Sequence, residues 1–254
     1  MLRSFSRAAA LALAALAFAL PVNGAALPAA QQPVDFDDVA GARVASWRVY
    51  TYQNDVLWVV GEIANDSPSV LLQPSVVARF VDPAGVLVLT SEAPLDAAYM
   101  LPGQVSTFRV TVVSPPPFIR LASLEVNGTP SAALQPIDGA RVIDQRGAYQ
   151  EIEEDRLFTR ENCDPDKHDC YYVERVKVRT ENYLVEGTVV NAGPLPIHNV
   201  RVSVALYDQS GALVNTGVSS AAAVLAPGQS ASYSVLVYWA PGTTRFTVRA
   251  YSDD

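Results

Sequence analysis

The chain has 254 residues, of which 50% are hydrophobic and only 17% charged, with a formal net charge of −8. That is enough apolar material for two cored domains and too few charges for a disordered tail. The acidic balance, with no cluster of Lys and Arg interleaved with aromatics, argues against nucleic-acid binding, because such a surface repels phosphate backbones.

Read in chain order, Arg3 and Arg7 precede an Ala/Leu/Phe run over residues 8–20, and Pro21, Val22 and Gly24 follow. This tripartite layout predicts a cleaved secretory signal peptide over 1–26, since the apolar run is short for a membrane span. The expected location is extracytoplasmic, in the periplasm, at the cell surface or secreted. Membrane attachment would arise only through an uncleaved N-terminus.

After the signal the chain repeats itself. Gly61, Asn65, Pro68, Asp82, Gly85 and Leu87 recur as Gly187, Asn191, Pro194, Asp208, Gly211 and Leu213, at one constant offset. Pro102-Gly103-Gln104 recurs as Pro227-Gly228-Gln229, slipped by one residue. Such residues set turns and strand ends, so a backbone framework is duplicated. Val200, Val202, Val204 and Leu206 alternate with Arg201, Ser203, Ala205 and Tyr207, the period of a strand with one buried face. The strand stops at Asp208-Gln209-Ser210-Gly211, and Asp82-Pro83-Ala84-Gly85 matches it; Asp first and Gly fourth predicts a type I turn closing a hairpin. Leu101-Pro102-Gly103 and Ala226-Pro227-Gly228 predict type II turns, each followed by a strand, Phe108/Val110/Val112 and Tyr233/Val235/Val237. Gly61 and Gly187 fall inside strand-like stretches and mark a bulge or a close backbone approach. About seven short strands per repeat predict an all-β protein with two tandem immunoglobulin-like antiparallel β-sandwiches, at 40–130 and 172–254. A closed barrel is the competing architecture.

Gly187, Asn191, the strand ending in Leu206-Tyr207-Asp208, and Leu225-Ala226-Pro227-Gly228 together resemble the FxLYD domain family. Val204 stands where that family's motif has Phe, and Ala78-Arg79-Phe80-Val81-Asp82 of the first repeat departs further. The resemblance implies a small Ig-like sandwich without catalysis, found in prokaryotic exported or membrane-anchored proteins, and it carries over no functional residues.

The unusual chemistry lies between the repeats, in an acidic linker over 131–171 with a short helix expected at 150–157. Cys163 and Cys170, the only two cysteines, are most simply a disulfide closing a small loop. The alternative is a metal site in which Asp164, Asp166 and Asp169 bind calcium, or the cysteines with His168 bind zinc; both lack a complete motif. Glu151, Glu153, Glu154 and Asp155 read as a solvated face. No nucleophile elbow and no His-Glu-x-x-His occurs. Alternation sets Trp47 with Val49, and turns Tyr50 and Tyr52 to the other face. There they either form a strip that stacks on sugars or seats a partner, or cover the sheet or the contact between domains. The expectation is therefore a non-enzymatic exported spacer or protein-interaction module, without a cofactor, whose partner is an envelope protein or a polysaccharide. A carbohydrate-binding module is the alternative, and a hydrolase using paired carboxylates the third reading.

Overall fold

The structure, a computed structural model, describes residues 35–37, 41–52, 56–132, 139–161 and 171–253, with residues 35–37, 52, 153–161 and 171–179 described by their backbone alone. Among these residues there are strands and no helix. The predicted signal segment lies outside them. Residues Val34–Asp254 form one compact unit.

The first copy contains β1 (Asp35–Asp37), β2 (Ala42–Tyr52), β3 (Val56–Asn65), β4 (Val70–Val81), β5 (Leu87–Pro94), β6 (Tyr99–Met100), β7 (Val105–Val113) and β8 (Arg120–Ser131). The second contains β9 (Ala140–Glu161), β10 (Tyr171–Asn191), β11 (Ile197–Tyr207), β12 (Leu213–Leu225), β13 (Ser230–Val237) and β14 (Arg245–Tyr251). Sheet β2-β3-β7 faces sheet β1-β8-β4-β5, with β6 beside β4; sheet β9-β10-β13 faces sheet β14-β11-β12. Each copy is thus a sandwich of two separate sheets, three common strands on three, and not a closed barrel. Val59, Ile63, Phe108 and Val110 meet Val76, Phe80 and Leu124 in the first core. Val185, Val189 and Val235 meet Val202, Val204 and Leu206 in the second. Both cores follow from strands that alternate apolar and polar residues.

The repeat holds down to single hydrogen bonds. The Asn65 amide donates to Ser69 O and Met100 O, both at 2.9 Å, and the Asn191 amide donates to Leu195 O at 2.7 Å and Leu225 O at 2.9 Å. Both asparagines are fully buried, and each amide is satisfied by two backbone carbonyls. In the hairpin turns Gly85 N donates to Asp82 O and Gly211 N to Asp208 O, each at 3.0 Å. Both glycines sit at φ 84, the left-handed residue that follows a type I turn in a three-residue hairpin. The bulge that follows is repeated too, between Phe80 and Val81 and between Leu206 and Tyr207. Gln73 and Asn199, at φ 47 and φ 49, extend the match. Gly61 and Gly187 mark close approaches: a Cβ at Gly61 would lie 2.4 Å from the Phe108 ring, and one at Gly187 would lie 1.9 Å from Asp144 O.

The region between the copies departs from expectation. The helix expected at 150–157 is strand, and from Ala140 onward the acidic segment is the edge strand of the second sandwich. It pairs with β10 from Ala140↔Asn191 to Glu161↔Tyr171. The backbone register sets residue 153 opposite 179 and residue 155 opposite 177. The acidic run looked self-contained because the strand that pairs with it comes later in the chain. β10 meets β13 only from Tyr183 onward, so the far half of β9–β10 is a two-stranded ribbon.

Candidate functional site

The polar residues that the fold brings together lie in the seam between the sandwiches. The outer face of β2-β3-β7 receives the outer face of β14-β11-β12. Leu206 points into its own core while Tyr207, one residue on, points out into the seam, as strand alternation requires. Its hydroxyl donates to Glu62 Oε1 at 2.7 Å, and Arg249 Nη1 donates to the same oxygen at 2.9 Å. Ser46 donates to Glu62 Oε2 at 2.8 Å. The Glu62 side chain is only 7% exposed, and both of its oxygens are occupied. A carboxylate so enclosed is tolerable only because it is paired and hydrogen-bonded.

Around this pairing the seam is aromatic. Tyr50 stacks on Trp239 at 4.6 Å and meets Trp58 edge-on at 5.5 Å. Arg109 lies over Trp58 at 4.7 Å and donates to Thr216 O across the seam. Tyr251 reaches into the first sandwich's core and donates to Val105 O at 3.0 Å. Burial pushes the Tyr251 hydroxyl up to about 12. Asp96, beside a cleft of about 360 Å³ between the sandwiches, accepts from Thr107. Burial raises its carboxyl above the ordinary range, against the opposing pull of that bond and of Arg109 and Arg201.

The residues singled out from sequence fall as follows. Tyr50 is 8% exposed and belongs to the seam, the second of the two placements its alternation allowed; its ring offers no open stacking face. Tyr52 lies in β2, but its side chain is outside the described residues. Cys163, Asp164, Asp166, His168, Asp169 and Cys170 lie outside them altogether. Among the described residues no group of His, Cys, Asp and Glu is gathered for a metal, and no helix is long and apolar enough to cross a membrane. Sequence reasoning missed Glu62, Arg109, Trp239 and Arg249. For Glu62 a signal existed: a lone carboxylate inside the apolar stretch Val59-Val60-Gly61-Glu62-Ile63 must find a partner.

A second feature lies at one end of the first sandwich. The hairpin turn before β5 and the β7–β8 connection share that end, since Val81 pairs with both Leu87 and Arg120. Val86, Leu87, Val88, Val113 and Phe118 are all exposed there. Pro117-Phe118 forms a turn whose counterpart in the second copy is Pro241-Gly242, and both second residues are left-handed, at φ 63 and φ 70. Glycine adopts that conformation freely, whereas a residue with a side chain pays about 1–2 kcal/mol.

These features define the class: an all-β protein of two sandwiches joined by a buried seam. A scan against known protein families matches none, and no curated protein matches the chain. Solved structures give distant likenesses. A calcium-binding mutant of Bacteroides uniformis β-glucuronidase 2 is 11% identical with a TM-score of 0.28, over 83% of this chain and 27% of that one. A putative β-galactosidase from Bacteroides fragilis is 11% identical with a TM-score of 0.23, over 81% of this chain and 34% of that one. The chain spans about a quarter to a third of the length of those proteins, and likenesses this faint say nothing of what it does.

Proposed function

We propose that this chain is a non-enzymatic exported protein, a tandem FxLYD-like pair of immunoglobulin-like sandwiches that serves outside the cytoplasm as a rigid spacer or protein-interaction module. The observation that carries the reading is the seam. Its carboxylates are already committed: Glu62 is saturated by Ser46 from its own sandwich and by Tyr207 and Arg249 from across the seam, and Asp96 accepts from Thr107 within the first sandwich. A group so committed is a poor acid or base for a substrate, because catalysis needs a proton acceptor within reach of the reacting atom. Rigid side-by-side sandwiches suit a body that sets a distance or presents a surface. The N-terminal Arg3, Arg7 and the apolar run after them support export.

The test is fractionation of the native cell, with the N-terminus of the protein read by mass spectrometry, followed by crosslinking of the tagged protein in the intact envelope. The reading expects an extracytoplasmic protein without residues 1–26 and a discrete crosslinked adduct. Retention of those residues in a cytosolic protein would overturn export, and no adduct with any surface crosslinker would overturn the interaction role.

A further inference from the structure

The exposed end of the first sandwich combines strain with display. Phe118 occupies a left-handed turn position at φ 63 where the second copy has Gly242, and its residue is 85% exposed. Trp239 is also left-handed, at φ 51, but its ring is stacked on Tyr50 and its amide bonds Asn182, so the fold is compensated for that backbone. Phe118 gives the fold almost no buried surface in return. Strain held without packing points to a residue kept for something outside the chain.

Its surroundings agree. Leu87 is 55% exposed while its repeat counterpart Leu213 is 4% exposed, covered by the neighbouring sandwich. Val86, Val88 and Val113 extend the apolar surface around it. Pro115, Pro116 and Pro117 stiffen the segment that presents Phe118, which lowers the cost of ordering it in a complex.

Resting on the interaction reading above, we propose that this end docks a partner protein through an apolar cleft with a basic rim, with Phe118 as the anchor and an extended segment of the partner pairing with β5. Two observations choose a protein over a bilayer. β5 is the last strand of its sheet, so its outer edge offers backbone groups that another strand can pair but hydrocarbon cannot satisfy. The stretches 81–88 and 113–120 hold one acid, Asp82, and one base, Arg120, so no basic patch draws this end to anionic lipid, and the −8 carried by the chain overall repels an anionic membrane and favours a partner with a basic rim.

The test uses the full mature chain with a photo-crosslinking residue at position 118 or, separately, at Glu92 or Asn199, in the native envelope, together with Phe118→Gly. An adduct at 118 that is lost in Leu87→Asp, and a Phe118→Gly protein that melts about 2–4 °C higher as the strain is relieved, are the expected results. Adducts elsewhere but none at 118 would overturn this docking end and leave the interaction role standing; no adduct at any position would overturn both. A lower melting temperature for Phe118→Gly would show that the ring serves the fold and overturn the proposal. So would co-sedimentation with phosphatidylcholine/phosphatidylglycerol vesicles, which assigns the end to lipid, or a dimer that Phe118→Gly dissociates, which assigns it to a second copy.

Discussion

The outer face of β4–β8 in the first copy and that of β11–β14 in the second are the same surface in the repeat, and they have opposite fates. In the second copy the face carries Ser203, Ala205, Tyr207, Arg249 and Tyr251, and it is sealed against the first sandwich. In the first copy the matching positions hold Val77, Arg79, Val81, Glu125 and Asn127. There Arg79 and Glu125 pair with each other in a solvated ion pair. One framework therefore supports an interior seam in one copy and, in the other, a part-exposed face on which Val77 is buried and the charges pair with each other. A surface packed on this face would have to strip water from Arg79 and Glu125, a cost that the hydroxyl and aromatic partners of the seam offset for Glu62 and Arg249.

The strongest way to break this contrast is Glu62→Ala, which leaves Arg249 half-buried without its carboxylate. Allowing for the exposure Arg249 keeps, it should cost about 3 kcal/mol in urea unfolding; Arg79→Ala, its opposite number in the solvated face, should cost under about 1 kcal/mol. Equal costs would erase the distinction between the faces.

Alkali should act on the seam as well. Tyr251 ionises near 10 when unfolded and at about 12 in the fold, so the unfolded chain releases its proton first. The contribution of this group is then full below pH 10 and falls as pH rises towards 12, by roughly 3 kcal/mol. Tyr251→Phe should flatten that part of the profile in pH-dependent melts, and an unchanged slope would remove Tyr251 from the account.

The framework predicts a symmetry where the faces predict an asymmetry. Asn65→Ala and Asn191→Ala each remove two hydrogen bonds to backbone carbonyls, one of them buried, and each should cost about 2 kcal/mol. A large difference between them in chemical denaturation would mean that the duplicated bonds are not equivalent in energy. The smallest effect concerns the turns: Gly85→Ala and Gly211→Ala should each cost about 1 kcal/mol, because alanine resists the left-handed conformation.

Much of this framework was legible in the residues. Asp, Gly, Pro and Asn act on their own backbone within a few positions, so Asp82–Gly85, Pro102-Gly103 and Asn65 announced their turns and strand ends in both copies. The seam was only half legible. Alternation turned Tyr50 and Tyr207 outward, but which surface covers them depends on packing between sheets distant in sequence, and nothing local to Tyr207 names Glu62. The helix expected at 150–157 failed for the same reason, since the strand that pairs with this segment, β10, is set by a register that nothing local announces. The strain at Phe118 was invisible until the backbone angle set it beside Gly242.

The most direct test of the fused-pair account is scanning calorimetry of the mature protein at neutral pH. A buried seam predicts a single transition whose van't Hoff and calorimetric enthalpies agree. Two resolved transitions, or a van't Hoff enthalpy near half the calorimetric value, would mean that the sandwiches unfold independently, and would contradict it.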